Sequence, residues 1–581
     1  MDENRTWLNH LEEAVPLKGY GNRLSMYLIS LEAWRRGITI NFFNKDNPDN
    51  KNLIRYSLNY GGKEYQFESS RGNKLSKEAF EICNNKDLTK QFMTKLGVKV
   101  PQGKRFFKDV KEEDVVSFAE TIGYPVVLKP SDQNAGKGVF SNISGAKELK
   151  EALWHLTEEL NYKDFIVEEF IPGTEYRVFL INGKVLAAVN RIPANIVGNG
   201  RDTVETLINQ KNKARKDNPA LSSKTIKIDR EIINNLKSCG YDMQSIPSKG
   251  EKILLRNNSN VSTGGDSIDV TDSLTDTQID MAQKAAKSIP GLDVCGLDML
   301  VDIETGAPTI IEINTKPMIG LHVFPMEGKS RDVVKHIVDY YFPESIDGEK
   351  SNLYFDFENV IGALNNITTK ELQLLPPNNL KEYFGKKISI IGKNLNATFM
   401  GKVRRISMQN SVYGYIKKLE TNSVEIVLAH YDLDIVKRVM DHIYSLNNVE
   451  IETVEEEDWR KPVKVGFEIK RDGLQELYKS LAIERSTNKS LIRDKNNLNR
   501  LQKKQKEDLN KQKEKNKRIQ QELDSLLERQ KKLEKRNKIL QKELTDERLI
   551  REQFERRYEN ILESKSWIVT KPFRNLRRLF K

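Results

Sequence analysis

Apolar and polar positions are most sharply ordered between Gly296 and Pro317, GLDMLVDIETGAPTIIEINTKP. Two apolar runs, Leu297–Ile303 and Thr309–Ile313, flank Glu304–Pro308, which holds the Gly and Pro of a tight connection. The pattern predicts a β-hairpin. Folding about Thr305 sets Asp298 nearly opposite Glu312, and Glu312 and Asn314, two apart in a strand, leave the same face. Ile311 and Ile313 alternate with that pair and are expected to bury the opposite face. Two carboxylates and an amide carbonyl are hard oxygen ligands of the kind that hold Mg²⁺ against nucleotide phosphates. Acids merely facing solvent are the competing reading.

Elsewhere the periods of 3.6 and 2 alternate. Leu24, Tyr27, Leu28, Leu31 and Trp34 predict a helix over Arg23–Arg36, followed by the strand Ile38–Phe43. Ile54–Tyr60 and Glu64–Glu68 meet at Gly61-Gly62, a hairpin signal. A helix over Leu75–Asn84 precedes a second one within Asn85–Pro101, stopped by Gly97. Then come the helix Val115–Ile122, the strand Pro125–Lys129, the loop Ser131–Phe140, the helix Ala146–Leu160 and the strand Phe165–Phe170. Lys129, ending a buried strand, can reach an α- or β-phosphate, and Gly136 and Gly138 in the next loop can turn backbone N–H groups toward phosphates. An ordinary turn competes with that reading. Glu168 and Glu169 end a strand where a hinge can line an adenine pocket, and Glu175 can take ribose hydroxyls; solvated strand-end acids are the alternative. Two further strands meet at Asn182-Gly183. The segment RNNSNVSTGGDSIDVTD (256–272) is too polar for a core element; its place between Ile253–Leu255 and the helix Thr275–Ser288 favours a binding loop over a linker.

Composition changes the picture in one respect. The chain has 581 residues, enough for several domains, and a net charge of +12. From Gly473 onward 31 Lys/Arg face 17 Asp/Glu, a net of +14, which leaves −2 for residues 1–472. The basicity belongs to the tail, so charge gives no case for nucleic-acid binding by the globular part. Cys83, Cys239 and Cys295 are widely spaced and no signal peptide is seen, which reads as a reducing, cytoplasmic setting. No apolar run is long enough to span a bilayer.

The stretches NNKDLTKQFMTKLGVKVPQG, YPVVLKPSDQNAGKGV, VEEFIPGTEYRVFLINGKVLAAVNRIPANIVGNGRDTVETLI, LRNNSNVSTGGDSIDVTD, CGLDML, IIEINTKP and HVFPMEGKSRDVVKHIVDYYFP together resemble the ATP-grasp superfamily. The nearest likeness is to the ATP-grasp module of bifunctional glutamate–cysteine ligase/glutathione synthetases, followed by that of cyanophycin synthetases, over about residues 20–343. The resemblance implies an α/β (α+β) ATP-grasp fold that uses ATP and Mg²⁺, with Mn²⁺ as a substitute. It implies that Lys86 and Lys129 bind phosphates, and that the Ser131–Val139 loop, with Gly136, Lys137 and Gly138, closes over the γ-phosphate. Glu168, Glu169, Phe170 and Ile171 would form the adenine hinge and Glu175 would hold the ribose. Asp298, Glu312 and Asn314 would bind the metal, and Arg191 and Arg256 would face the reacting carboxylate and its acyl-phosphate. One departure matters: Thr315-Lys316-Pro317 stands where glutathione-making relatives tend to have Asn-Pro after a Phe. No glutamate–cysteine ligase half precedes the module, so glutathione is not the expected product.

Residues 1–84 are expected to form an α/β region on the substrate side, 85–345 the ATP-grasp domain, and 346–382 a linker. Over 383–472 the order strand, helix, strand, strand, helix, strand predicts a ferredoxin-like βαββαβ domain that resembles acylphosphatases. Its loop GKNLNATFM (Gly392–Met400) has Met400 where the catalytic Arg belongs, and Lys418 stands where Asn is expected, so hydrolysis loses its anion clamp. Between Gly473 and Pro572 there is neither Gly nor Pro, and Leu, Ile and aromatic residues recur at 3-4 spacing, predicting a long coiled coil over 473–563 and a homo-oligomer. The tail 564–581 mixes Trp567, Ile568, Phe573, Leu576, Leu579 and Phe580 with six basic residues, which suits an anionic membrane surface. It also resembles the end segments of bacterial envelope-glycan glycosyltransferases, so an enzyme partner competes with the membrane. The reading is a cytoplasmic carboxylate–amine ligase of the acid–amino-acid class, at the inner face of the membrane, acting on a precursor of a surface polymer. A non-catalytic nucleotide-binding scaffold is the rival.

Overall fold

A computed structural model describes residues 5–45, 53–131, 138–366, 368–420, 422–447 and 449–470, together with isolated helical positions between 492 and 553. The chain divides into two compact units, Met1–Ser480 and Leu481–Lys581. Most of the expected coiled coil and the whole basic tail lie outside the described residues. Among the described residues no helix is long and apolar enough to cross a membrane.

In the first unit, the helix Leu24–Arg35 is buried along its whole length. It packs on a five-stranded sheet ordered Glu371–Leu374, Thr39–Lys45, Leu53–Tyr60, Lys63–Glu68, Arg71–Gly72. The outer strand corrects the expectation of a linker over 346–382: Gln373 pairs with Asn41, and the helix Phe357–Leu364 lies in the same core. Phe357, Val360, Ile361 and Leu364 follow helical spacing, a signal masked by the Asn and Pro residues around them.

A four-stranded sheet follows, ordered Gly103–Phe107, Asp164–Glu169, Val126–Pro130, Phe140–Ile143. The strand Asp164–Glu169 lies at its centre. Two helices, Lys77–Asn84 and Lys86–Lys95, meet head to tail at Asn85, whose side chain accepts from the N–H groups of Asp87 and Leu88.

The third sheet is antiparallel throughout, ordered Asp266–Asp269, Lys184–Ile192, Thr174–Ile181, Val294–Val301, Pro308–Asn314. The polar segment 256–272 is therefore part strand, with Asn190 opposite Ile268. The hairpin of the last two strands forms with Asp298 opposite Glu312, and Asp302 caps its turn through the N–H groups of Glu304 and Thr305. Its register shifts between Asp298 and Met299, and Met299 pairs with Ile310. This bulge corrects the simple alternation: Ile310 and Ile313 are buried, whereas Ile311 is only half-buried.

Residues 384–470 form a further sheet ordered Glu450–Trp459, Phe384–Lys393, Ser423–His430, Tyr413–Glu420, Phe467–Lys470. The helices Ala397–Gln409 and Leu433–Tyr444 share an apolar core with it. The short strand Phe467–Lys470, parallel to Tyr413–Glu420, lies beyond the expected four.

Candidate active site

The third sheet changes character along its length. Val178, Leu180, Ala188, Leu297 and Met299 pack into one core. On the opposite face Phe179, Ile181, Ala187, Val189 and Val294 join another. Continuing along that second face, Phe179 is followed two residues earlier by Arg177 and then by Glu175, as period-2 geometry requires. Arg191 stands opposite Glu175, and Asp298 opposite both Arg177 and Glu312. An apolar face thus ends in a charged one.

These charges are bonded to one another. The Arg177 guanidinium grips Asp298 with two N–H donors, the Nη2–Oδ2 distance being 2.9 Å. Arg191 Nη2 lies 2.9 Å from the same Oδ2 and also donates to Glu175, which accepts from the Ser259 hydroxyl as well. Arg177 and Asp298 are 8% and 7% exposed, so neither charge is left to water. Burial pushes the Asp298 carboxyl up, but Arg177 and Arg191 outweigh it and hold it below the usual range. For Glu175 burial wins over Arg191 and the carboxyl is raised.

A second cluster sits on the four-stranded sheet. Glu168, 4% exposed, accepts from Lys129 and, at 2.7 Å, from Lys90. Burial raises its carboxyl, and the two ammonium groups more than reverse the shift. Lys86 joins the clusters: burial lowers its pKa, Glu312 opposes that, and Lys129, Glu168 and Lys90 act on it too. Lys86, Lys90, Lys129, Glu168 and Glu312 therefore share one neighbourhood, drawn from a helix start and two sheets.

The other expected residues fall as follows. Glu169 donates its N–H to Gln102 O at 2.8 Å and Phe170 to Pro125 O at 3.1 Å; with Ile171 they form a half-buried exit from the central strand. Ser131 N–H bonds Asp164 O at 3.2 Å, and its buried hydroxyl has no partner among the described residues. Gly138 has φ +68°, and a Cβ there would come within 3.1 Å of Pro130 and Tyr162, so the chain's return to the strand requires glycine. Gly136 and Lys137 lie outside the described residues. Asn314 is half-buried opposite Gly296. The guanidinium of Arg256 is engaged by Asp229, Glu231 and the carbonyl of Lys227. Glu175 is likewise bonded to Arg191 and Ser259.

Among the described residues no three His, Cys, Asp or Glu side chains form a metal-type group. The candidate donors are two carboxylates and an amide, so the oxygen chemistry suits Mg²⁺, with Asp298 sharing its oxygens with arginine. Lys90, Arg177 and Ser259 were not anticipated. Lys90 is one helical turn from Lys86 and Arg177 two residues from Glu175, so the periods 3.6 and 2 place each beside an expected residue.

Part of the chain is similar to known proteins. Residues 108–254 match the family described as "Prokaryotic glutathione synthetase, ATP-grasp domain". Among curated proteins it is 35% identical over 295 residues to cyanophycin synthetase of Geminocystis herdmanii, covering 50% of this chain and 33% of that one. It is 35% identical over 354 residues to the glutathione biosynthesis bifunctional protein GshAB of Clostridium perfringens, covering 58% and 44%. The chain thus spans between a third and a half of the length of these relatives. A solved bifunctional glutathione synthetase from Pasteurella multocida superposes with TM-score 0.42 at 29% identity, covering 55% of this chain and 44% of that one.

Proposed function

We propose that this protein is an ATP- and Mg²⁺-dependent carboxylate–amine ligase. The observation that carries the reading is the meeting of Lys86, Lys129, Glu168 and Glu312 in one neighbourhood, next to the Asp298–Arg191 face. ATP with Mg²⁺ supplies a phosphoryl group that makes a carboxylate oxygen a leaving group. A carboxylate oxygen of the substrate attacks the γ-phosphorus and ADP departs; the amine then attacks the acyl carbon and inorganic phosphate leaves.

Lys86 and Lys129 neutralise phosphate charge, and Glu168, bonded to Lys129 and Lys90, holds the ammonium groups in place before nucleotide arrives. Asp298, Glu312 and Asn314 hold the cation. Arg191, already pinned by Glu175 and Asp298, faces the reacting carboxylate and the charge that develops on it. The exit Glu168–Ile171 is the adenine hinge, with Glu175 taking the ribose by exchanging one of its present bonds. Arg256 belongs to the same active site through its loop, which also carries Ser259. The acid–amino-acid class, a surface-polymer precursor as substrate, an acylphosphatase-derived docking role for residues 383–472, and oligomerisation and peripheral membrane attachment through 473–581 belong to this proposal.

The test is ADP release with Mg·ATP across amino acids, dipeptides and uronic acids, wild type beside Glu312→Ala. Turnover needing one acid and one amine, reduced about 100-fold or more in Glu312→Ala, is expected. Nucleotide binding without turnover for any pair supports the scaffold instead.

A further inference from the structure

Asp266, 2% exposed, takes no part in the proposed chemistry and yet gathers three donors. Arg215 Nη1 donates to it at 2.7 Å, Asn195 Nδ2 at 3.0 Å, and the Lys211 ammonium joins them. Arg215 lies wholly buried on the helix Val204–Asp217, and the rest of its guanidinium reaches backbone. Its Nε donates to Lys224 O at 2.9 Å, and its Nη2 to Gly265 O at 3.1 Å and Val261 O at 3.4 Å. Burial lowers the pKa of this group, and Asp266 opposes the shift. A buried ion pair seldom beats apolar packing in stability; what this one fixes is the base of a loop.

Val261 and Gly265 belong to the base of the polar loop 257–265, and there the loop has no room to shift. Asn260 O receives the Gly265 N–H at 3.2 Å, and the Asn260 side chain receives the N–H of Ser262. Gly264 has φ +108°, and a Cβ there would stand 2.6 Å from Ile226; one on Gly265 would stand 2.7 Å from Ile192 O. Asn257 and Asn258, at the other end, are exposed. Ser259 lies between the two ends, two residues before Val261, and donates its hydroxyl to Glu175. Glu175 in turn accepts from Arg191. Asp266 reaches the same point through the sheet, since it stands opposite Ile192, the residue after Arg191.

We propose that Arg215 is a positioning residue for the ligase. By gripping Val261, Gly265 and Asp266 it holds Ser259 against Glu175, and Glu175 then sets the place of Arg191 before the reacting carboxylate. Arg215, fully buried, acts only through these residues. Lys86 and Lys129 belong to a helix start and another sheet, so phosphate binding does not depend on this grip. The proposal rests on the ligase reading and extends its site to the helix Val204–Asp217.

The experiment is a double-mutant cycle on the full chain: wild type, Arg215→Lys, Ser259→Ala and the two together. Arg215→Lys keeps a positive charge beside Asp266 and gives up the fork that binds the carbonyls. The KM of the acid component and the KM of Mg·ATP are measured with the substrate pair that supports ADP release. Each single change should raise the acid KM about 10-fold, the size of a hydrogen bond to a charged group, and leave the Mg·ATP KM within about 3-fold. Because Arg215 acts through Ser259, the double variant should also stand at about 10-fold rather than at the ~100-fold product of independent sites. KM does not depend on the folded fraction, so lost stability cannot imitate this result. Multiplying effects, an unchanged acid KM, or an equal rise in the Mg·ATP KM overturns the proposal. Should Arg215→Lys not fold, Gly264→Ala replaces it in the cycle, since it displaces the loop base and leaves the ion pair intact. Absence of turnover in wild type bears on the ligase reading alone. The grip is then read from amide hydrogen exchange: Arg215→Lys should speed exchange over 257–265 and in the strands that bear Glu175 and Arg191, and leave 86–95 unchanged. Exchange unchanged over 257–265, or raised throughout the chain, sinks it.

Discussion

Two five-stranded sheets of this chain use charge in opposite ways. In the sheet over 384–470, Ile388, Ile390, Ile416, Val424, Ile426 and Leu428 form the core, and the charges stand outside it. Lys386 pairs with Asp458 at 2.8 Å, Lys387 with Glu457 at 3.2 Å and Lys393 with Glu450 at 3.0 Å, and the three acids are 64–67% exposed. Such pairs lie in water and contribute little. In the sheet over 174–314 the charges sit inside. Arg177, Arg191, Glu175 and Asp298 replace apolar side chains at the end of a face that begins with Ile181 and Phe179. A fold needing only stability would continue the apolar face, since a buried ionic group seldom beats well-packed hydrophobic residues. The difference marks the second sheet as the place where apolar packing gives way to a buried network of charges.

The sharpest way to break this comparison is Asp298→Ala. It leaves two buried guanidinium groups without their acid and should cost about 3–5 kcal/mol in urea unfolding. A loss near zero would put the network in effective contact with water. Glu168→Gln comes next. Lys90 and Lys129 keep some exposure, 15% each, so the expected loss is about 2–3 kcal/mol, accompanied by weaker Mg·ATP binding in calorimetry.

His322 sharpens the comparison through pH. It is 1% exposed, its ring lies 5.7 Å from that of Phe179, and neither ring nitrogen has a partner among the described residues. Burial, and then the positive charge of Arg177, lower its pKa from 6.5 to about 3. Between those values the unfolded chain binds a proton that the folded one refuses, so stability falls as pH drops from 6.5 toward 3. His322→Phe should flatten that part of the curve in melting-temperature measurements. The smallest effect belongs to the other sheet: Lys386→Ala should change stability by less than about 0.5 kcal/mol. A cost rivalling that of Asp298→Ala would erase the contrast.

Much of this was legible in the residues. Helices and strands followed from spacing at Leu24–Trp34, Ile54–Glu68 and Phe165–Phe170, and the Asp298–Glu312 register from the hairpin alone. The strand Glu371–Leu374 was not legible, because an edge strand is made by its neighbour, here Thr39–Lys45, about 330 positions away. Nor was the strand Asp266–Asp269, whose Asn, Ser and Asp surroundings carry no apolar alternation.

Sequence by itself determined the donors: which side chains carry oxygen, which carry charge, and which of them share a strand face, because periods of 2 and 3.6 are local properties. It could not determine who neutralises whom. Lys90 on Glu168, and Arg177 and Arg191 on Asp298, arise from elements far apart in the chain, brought together when their apolar faces pack. Hydrophobic burial chooses that packing, and the charges settle into whatever neighbourhood it leaves them.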